Sequence, residues 1–320
     1  MIQGHGDDAY RYPDIQSDFS SNICAHGSHH ALMAHLAAHP EFLDHYPEPE
    51  AWSLEAMIAE REDIDPACVI ITSGATEAIY LVAQSFRFSP VIPAPTFSEY
   101  ADACRMFKNE SDKKMMWLCN PNNPTGEVYD QLYIDRMMAE HELLVLDQSY
   151  ETYTDAPVMG ARWGCRTPYS VQIHSFTKMY GVPGLRLGYI TSHQQLTEQI
   201  RRHLRPWSVS AWAIEAGKFL LQHDEFLCRP DLAEAQRLRL RLIESGVEVL
   251  PTRTNFMLCR LPQGTAAELK EYLALEHHIL IRDASNFQGL TPQHFRIAAQ
   301  TPAENDALVA AIRKKMTNDK

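Results

Sequence analysis

Between residues 66 and 192, short aliphatic runs alternate with amphipathic stretches, and this alternation limits the possible fold more than any other feature of the chain. The stretch 75–86 has helical spacing, with apolar residues at positions 75, 78, 79, 82, 83 and 86. Aliphatic runs without alternating polar residues are typical of strands that a parallel sheet buries on both faces. The pattern predicts an α/β fold in which helices flank a mostly parallel central sheet, with strands at 68–72, 89–93, 116–119, 143–147, 170–174 and 187–191.

Beyond residue 206 the pattern changes to that of a smaller α+β domain. Its last helix is predicted to begin with Thr301 as the N-cap, Pro302 at the first helical position and Glu304 three residues after the cap. The other elements predicted there are helices at 211–222 and 231–245 and strands at 247–250, 255–261, 279–283 and 294–298. We therefore predict a large domain over 46–205 and a small C-terminal domain over 206–320. Residues 1–45 lack a repeating pattern and are predicted to form an N-terminal arm that packs on one of the two domains.

The charge balance and the scattered cysteines exclude several classes of protein. With 29 Lys and Arg against 41 Asp and Glu, the formal net charge is −12, so the chain as a whole repels nucleic acid and anionic membranes. No aliphatic run approaches the ~20 residues of a membrane helix, and the first eight residues lack the features of a signal peptide. The seven cysteines form no C-x-x-C pair, and none of the 15 histidines lies in an H-E-x-x-H motif. We expect a cytoplasmic protein with reduced cysteines, no metal site, and neither nucleic acid nor membrane as a partner.

Two segments that follow predicted strands are suited to hold a ligand. Residues 73–76, Ser-Gly-Ala-Thr, open a helix, and the free backbone N–H groups at a helix start bind phosphate. Residues 120–126, Asn-Pro-Asn-Asn-Pro-Thr-Gly, contain two prolines that restrict the loop and can direct an asparagine side chain. Each segment alone also fits a structural role, which is helix capping for the first and a plain turn for the second.

Charged residues mark the ends of two other predicted strands. Asp147 ends a very apolar strand, where a carboxylate needs a cation or a hydrogen-bond donor to offset its loss of water. Lys178 follows the strand 170–174 among hydroxyl-bearing residues, and Arg186 lies eight residues later. A lysine beside a phosphate-binding arginine is suited to form a Schiff base with a phosphorylated carbonyl compound. The structural alternatives are a helix N-cap for Asp147, and a surface lysine with a structural arginine for the other pair.

In this order and spacing, the four segments resemble those of the fold-type I pyridoxal-phosphate enzymes, the aspartate aminotransferase superfamily. The resemblance implies pyridoxal 5′-phosphate as the cofactor and Lys178 as the catalytic residue that binds it covalently. Asp147 would pair with the protonated pyridine nitrogen. In this superfamily a tyrosine of the neighbouring subunit completes the phosphate site, and Tyr46 matches it, so the resemblance implies a homodimer with shared active sites. The other cofactor contacts that it implies are Asn123 and Tyr150 at the ring oxygen, Phe97 on the ring face, and Ala75, Thr76, Ser175 and Arg186 at the phosphate.

Nearly the whole chain resembles one branch of the superfamily, which histidinol-phosphate aminotransferases share with L-threonine-O-3-phosphate decarboxylases. Arg296 matches the arginine that binds the substrate carboxylate in this branch, a task for which a bidentate guanidinium is suited. Arg282 matches an arginine that binds substrate phosphate. The segments 18–23 (DFSSNI), 206–209 (PWSV) and 279–290 resemble the decarboxylases in particular, and the start of the chain resembles their His-Gly-Gly-Asn arm. The substrate contacts implied by the resemblance are His5, Gly6, Asn22, Asn123, Arg282 and Arg296.

The implied reaction is the decarboxylation of O-phospho-L-threonine to (R)-1-amino-2-propanol O-phosphate and CO2, in the aminopropanol arm of cobalamin biosynthesis. The chain departs from the decarboxylases at Asp7-Asp8, which replaces Gly-Asn, at Ser210, which replaces an asparagine, and in a shortened segment at 108–115. Tyr150 is the aminotransferase residue, where the decarboxylases carry phenylalanine.

Two alternative functions stay open. One is a histidinol-phosphate type of aminotransferase that uses glutamate and 2-oxoglutarate. The other is a catalytically silent protein of the same fold that acts as a regulator, which would require a DNA-binding segment or a damaged site. Motifs do not distinguish decarboxylation from transamination, because both reactions begin with the same covalent adduct of substrate and cofactor.

Overall fold

The structure is a computed structural model that describes residues 8–23 and 29–318. Its strands, in chain order, are β1 (Ser17–Asp18), β2 (Val69–Thr72), β3 (Ser89–Val91), β4 (Lys114–Cys119), β5 (Leu143–Asp147), β6 (Ser170–Ser175), β7 (Gly188–Ser192), β8 (Glu248–Val249), β9 (Phe256–Arg260), β10 (Ile279–Leu280), β11 (Arg282–Asp283) and β12 (His294–Ala298). Its α-helices are α1 (His30–Ala37), α2 (Trp52–Glu62), α3 (Gly74–Phe86), α4 (Glu99–Met106), α5 (Gln131–Glu140), α6 (Ala161–Arg166), α7 (Phe176–Met179), α8 (Gln194–Arg201), α9 (Ala211–Leu221), α10 (Leu232–Glu244), α11 (Ala266–His277) and α12 (Pro302–Asn318).

Six strands form the central sheet, in the order β2-β7-β6-β5-β4-β3. Strands β3 to β6 run parallel, whereas β7 is antiparallel to both of its neighbours, so β2 points the same way as β6. Every residue of β2 and β5 is buried, because helices cover both faces of the sheet. The predicted α/β fold with a mostly parallel, helix-flanked sheet is confirmed. Because β2, β4, β5 and β6 share one direction, their carboxyl ends meet at one edge, where the loops can build a site.

A second sheet has the order β11-β12-β9-β8 and is antiparallel throughout. Helices α10, α11 and α12 supply Leu238, Leu273 and Ile312 to the core beside it. The start of α12 is capped as predicted, since the Thr301 hydroxyl and the Glu304 carboxylate bond each other's backbone N–H groups. Among residues 8–23 and 29–318, no helix combines the length and the apolar character that crossing a membrane requires.

The predicted strand 279–283 is divided in the structure. Ile279–Leu280 pairs in parallel with β1, whereas Arg282–Asp283 pairs antiparallel with β12. The division occurs because the distant N-terminal segment supplies a strand partner, which the local pattern of residues does not reveal. As a result, β11 begins directly at Arg282, opposite the middle of β12.

The N-terminal segment packs on both of the larger parts of the molecule. Phe19, which follows β1, is completely buried in the core beside the second sheet. Leu32 and Leu36 of α1 belong instead to a core that includes residues of α2, α9 and the central sheet. The expectation that the arm packs on one domain is therefore too narrow, because Phe19 and helix α1 contribute to different cores.

Candidate active site

A cavity of about 330 Å³ opens at the carboxyl edge of the central sheet. The segments that follow β2, β4, β5 and β6 line it, and the N-terminal segment and β12 close it. Most of the predicted site residues thus meet in one cavity. They are Asn22, Ala75, Thr76, Phe97, Asn123, Asp147, Tyr150, Ser175, Lys178, Arg186 and Arg296.

One end of the cavity is built to bind an anion. Helix α3 starts there, with Ala75 and Thr76 in its first turn, and its thirteen residues direct their backbone dipole toward the cavity. The Arg186 guanidinium lies against Gly74, so close that a Cβ added to this glycine would be 2.7 Å from Nη2. Ser175 adds a hydroxyl at the end of β6. Backbone N–H groups, hydroxyls and a guanidinium are together the donors that a phosphate requires.

This anion-binding end depends on a close approach between β7 and the start of α3. A Cβ added to Gly188, the first residue of β7, would lie 2.7 Å from the backbone nitrogen of Ala75 and 2.9 Å from the carbonyl oxygen of His174. Neither backbone atom can move without shifting its own element. A glycine is therefore required at this position by the packing of strand against helix.

Asp147, at the end of β5, lines the cavity with 4% of its surface exposed. Its Oδ1 accepts a hydrogen bond from the Ser149 backbone N–H at 2.9 Å, and its Oδ2 accepts one from the Tyr100 hydroxyl at 2.7 Å. Burial raises the pKa of this carboxyl group, and these two donors oppose that effect. The structural alternative of an N-cap is wrong, because the short 3-10 helix Glu151–Tyr153 that follows has Tyr150 as its N-cap, whereas Asp147 lines the cavity.

Lys178 lies in the single-turn helix α7, directly after β6. Its Nζ is 5.6 Å from the centroid of the Tyr150 ring, and the Tyr153 hydroxyl donates a hydrogen bond of 3.1 Å to its carbonyl oxygen. The backbone of Lys178 is thus fixed by a buried tyrosine while its amine lines the cavity. This geometry is suited to a lysine that binds a ligand covalently.

Arg296 enters the cavity from β12 and is 5% exposed. Its Nη1 donates to Asn123 Oδ1 at 2.6 Å, and its Nη2 donates to the Ser20 carbonyl oxygen at 2.5 Å. Burial lowers its pKa. An asparagine of the proline-rich loop and a carbonyl of the N-terminal segment therefore hold one guanidinium between them.

Two buried polar atoms that line the cavity have no hydrogen-bond partner among the described residues. They are Arg296 Nε, a donor, and Asn22 Oδ1, an acceptor. The Asn22 amide donates to the Tyr150 hydroxyl at 3.4 Å, and burial raises the pKa of that phenol to about 12. Because unpaired buried polar atoms are costly, they indicate a polar ligand in this part of the cavity.

Arg282 lines a smaller adjoining cavity of about 40 Å³, which shares Phe97, Asn123 and Arg296 with the first. It donates to the Asp283 carbonyl oxygen at 2.5 Å and to Asn286 Oδ1 at 2.9 Å. Burial, reinforced by the charge of Arg296, lowers its pKa to about 10. The charges of Asp283 and Asp8 act in the opposite direction and raise this pKa.

The two arginines are direct cross-strand partners. Register pairs Arg282 of β11 with Arg296 of β12, and both are buried, at 7% and 5% exposed. Like charges in this arrangement destabilise an antiparallel pair unless something neutralises them. The arrangement is thus suited to a ligand that carries two anionic groups.

Some predicted residues lie elsewhere. Tyr46 is 85% exposed, with its ring 5.5 Å from that of Trp207, and it does not line the cavity of its own chain. His5 and Gly6 lie outside the described residues. The roles proposed for these three residues stay predictions.

Sequence reasoning missed several residues of the cavity, of which Tyr100 and Ser20 matter most. Tyr100 follows Phe97 by three residues and lies in the first turn of α4, so this spacing was a usable signal. Ser20 contributes through its carbonyl oxygen, which any residue type could supply, so no sequence signal could have revealed it.

Comparisons with known proteins identify the family to which the chain is similar. The family model described as aminotransferase class I and II matches residues 107–312. Among solved structures, L-threonine-O-3-phosphate decarboxylase from Porphyromonas gingivalis is 37% identical, with a TM-score of 0.88 over 94% of this chain and 99% of that chain. This similarity confirms the fold class expected from the resemblance.

Curated relatives include members of both branches. Threonine-phosphate decarboxylase of Salmonella typhimurium is 28% identical over 95% of this chain and 92% of its own length. Histidinol-phosphate aminotransferase 1 of Mannheimia succiniciproducens is also 28% identical, over 85% of this chain and 82% of its own. Overall identity to these two relatives therefore does not distinguish the two activities. The distinction has to come from the residues of the site.

Proposed function

The chain belongs to the aminotransferase class I and II family, and within it we propose that the protein is a pyridoxal-phosphate-dependent threonine-phosphate decarboxylase. The proposed reaction converts O-phospho-L-threonine to (R)-1-amino-2-propanol O-phosphate and CO2. This would serve the aminopropanol arm of cobalamin biosynthesis.

The observation that carries the proposal is the pair of buried arginines, Arg282 and Arg296, on facing strands. A phosphorylated amino acid has a carboxylate at one end and a phosphate at the other, so it can neutralise both guanidinium groups. Arg296 would bind the carboxylate, since it lies in the same cavity as Lys178. Arg282, in the adjoining cavity, would bind the phosphate, which lies farther from the reacting carbon.

The cavity also fits the cofactor. The start of α3 with Arg186 would hold the cofactor phosphate, and Asp147, which lines the same cavity, would accept a hydrogen bond from the pyridinium nitrogen. Phe97 would pack on one face of the ring. Asn123 and Tyr150 would contact the ring oxygen. When bound, pyridoxal phosphate supplies an electron sink for the electron pair left by a broken bond at the α-carbon.

The residues of the chain would control which bond breaks and where the proton goes. Arg296, fixed by Asn123 and Ser20, would set the direction of the substrate carboxylate. The amine of Lys178 would return a proton to the carbon that has lost CO2. Arg296 is buried, so its guanidinium would hold the carboxylate away from bulk water.

A second candidate is a histidinol-phosphate aminotransferase. Tyr150 favours it, because its hydroxyl is the aminotransferase feature in the resemblance and lies buried in the cavity. The Mannheimia relative supports it at the same identity as the Salmonella decarboxylase. We rank it second because the decarboxylase structure reaches 37% identity over nearly the full chain.

We also propose that the working enzyme is a homodimer. Tyr46 is exposed in one chain, next to the exposed Trp207, and would reach the phosphate end of the neighbouring subunit's cavity. A symmetric dimer would give two shared sites.

The decisive experiment supplies pyridoxal phosphate and O-phospho-L-threonine to the purified protein and measures CO2 and 1-amino-2-propanol O-phosphate. We expect both products in equal amounts, and neither with the Lys178→Ala variant. Glutamate formed from histidinol phosphate and 2-oxoglutarate, without CO2, would instead establish the aminotransferase. A protein that binds no pyridoxal phosphate would favour the silent regulator.

A further inference from the structure

We propose that Tyr100 is a positioning residue that holds the Asp147 carboxylate in place as the acceptor for the cofactor's ring nitrogen. The inference rests on the proposed cofactor, and it assigns a role to a residue that sequence reasoning did not select. It implies that the electronic state of the cofactor depends on a phenol that the substrate does not need to touch.

The geometry around Tyr100 leaves its hydroxyl one orientation. The side chain is completely buried, its ring stacks on Trp117 at 5.2 Å and 17°, and it meets Phe97 edge to face at 5.8 Å. The hydroxyl donates to Asp147 Oδ2 at 2.7 Å. Rings on both sides therefore fix the donor, and the donor in turn fixes one carboxylate oxygen.

The second carboxylate oxygen is also held. Asp147 Oδ1 accepts from the Ser149 backbone N–H at 2.9 Å, so the plane of the carboxylate is determined from two sides. Oxygen atoms have further lone pairs, and Asp147 lines the cavity. A ring nitrogen can therefore bond a carboxylate that is already oriented, without any rotation of the side chain.

The groups around Asp147 keep the hydroxyl of Tyr100 in its donor form. Burial, followed by the negative charge of Asp147, raises the pKa of Tyr100 well above its ordinary value. Cys119 of β4 lies beside the same hydroxyl, and burial and Asp147 raise its pKa to about 12. From β6, the His174 ring, which contacts Glu151 at 2.9 Å, lowers the pKa of Asp147. The Ser149 side chain also lowers the pKa of Asp147, so the bond from Tyr100 acts together with the bonds from Ser149.

Removing the hydroxyl should change the pH dependence of cofactor binding. Burial raises the pKa of Asp147, and the bond from Tyr100 opposes that rise. In Tyr100→Phe the pKa of Asp147 therefore rises further, so the carboxylate becomes protonated at a higher pH. Because a protonated Asp147 binds a pyridinium less well, binding should weaken at a higher pH than in the wild type.

The experiment titrates the apo form of each variant with pyridoxal phosphate across the acidic and neutral range. We expect Tyr100→Phe to bind about tenfold more weakly near neutral pH, as loss of one charge-assisted hydrogen bond predicts. We also expect its loss of binding on acidification to begin at a higher pH. Tyr80→Phe is the matched control, because it removes a phenol that donates to the neighbouring Glu99 at 3.0 Å, and it should match the wild type.

Two further measurements separate positioning from simple packing. A cofactor analogue with carbon in place of the ring nitrogen should bind wild type and Tyr100→Phe equally. In an Asp147→Asn background, Tyr100→Phe should have little further effect, since the residues act as a unit. Tyr100→His, which retains a ring N–H donor, should keep a pH profile closer to the wild type, and it replaces Tyr100→Phe if that variant does not fold.

The outcomes are distinct. Equal pH profiles for wild type and Tyr100→Phe, or equal weakening with the analogue that lacks the nitrogen, would overturn the role of Tyr100. Equal shifts in Tyr100→His and Tyr100→Phe would do the same. A wild type that binds no pyridoxal phosphate at all would overturn the proposed function instead.

Discussion

At Lys178, the proposed covalent attachment point, neighbouring residues hold the backbone and the side chain. Its carbonyl oxygen is fixed by Tyr153, and its amine lies beside the Tyr150 ring. We expect Lys178→Ala to bind pyridoxal phosphate only non-covalently, since the start of α3 and Arg186 hold the phosphate independently. Borohydride reduction followed by mass spectrometry should add the cofactor mass to the wild type and not to the variant. Labelling of Lys178→Ala at another lysine would show that the assignment is wrong.

The two facing arginines are proposed to bind different groups of the substrate, so removing one of them should affect only substrates that carry its group. Arg282→Ala removes the proposed phosphate contact, so kcat/KM for O-phospho-L-threonine should fall about ten- to hundredfold, as expected for a charge-assisted hydrogen bond. Weak activity on plain L-threonine should stay nearly unchanged, because Arg296 still binds the carboxylate. The variant should also still bind pyridoxal phosphate, since Arg282 does not line the larger cavity.

Arg260→Ala is a suitable control for the arginine experiment. Arg260 lies on the adjacent strand β9, is exposed, and pairs with Glu248 at 3.2 Å. Its removal should leave both activities unchanged. If Arg282→Ala lowered kcat/KM equally for O-phospho-L-threonine and L-threonine, Arg282 would be a structural residue and would not bind the substrate phosphate.

At the scale of elements, the anion-binding end requires β7 and α3 to approach closely at Gly188. A methyl group there would meet the Ala75 nitrogen at 2.7 Å, so Gly188→Ala should lower stability by about 1–3 kcal/mol, the usual cost of overpacking. It should also weaken pyridoxal phosphate binding, because the helix start must move. Chemical denaturation of the apo protein and a cofactor titration measure the two effects.

Gly160→Ala provides the control for that element. A Cβ at Gly160, the N-cap of α6, meets no atom within 4 Å, so this variant should unfold like the wild type. If Gly188→Ala behaved in the same way, the contact between β7 and α3 would not support the phosphate site.

At the scale of the whole molecule, a shared site predicts complementation between two inactive variants. Lys178→Ala lacks the catalytic amine, and Tyr46→Ala would lack the phosphate contact given to the partner. In a mixed dimer, one of the two sites would contain neither change. Refolding the two variants together should therefore restore activity that neither has alone, up to about one quarter of the wild type if chains pair at random.

A negative result in that experiment would have a clear meaning. Tyr46→Ala with full activity alone would show that Tyr46 does not belong to a site. Activity that does not recover on mixing, with dimers confirmed by light scattering, would place Tyr46 in the cavity of its own chain or outside any site.

Features that depend on neighbours along the chain can be predicted from the residue pattern alone. The strand Leu143–Asp147 and the cap at Thr301 follow from the apolar pattern and from residues within a few positions. Lys178 is predicted because it follows the strand 170–174 among hydroxyl-bearing residues, and Arg186 because it lies eight residues after Lys178. These features are local, so periodicity and residue type suffice to predict them.

The residue pattern could not predict which distant groups meet, because that depends on packing between segments far apart in the chain. Asn123 and Arg296 are 173 residues apart, and the Tyr100 hydroxyl reaches an aspartate 47 residues away. The division of the strand 279–283 depended on β1, which placed Arg282 directly opposite Arg296. A residue pattern specifies which face of an element is buried, but the partner and register follow from packing over the whole chain. For that reason the family resemblance could assign Arg296 to a carboxylate and Arg282 to a phosphate, but only the strand register shows that the two arginines lie opposite each other.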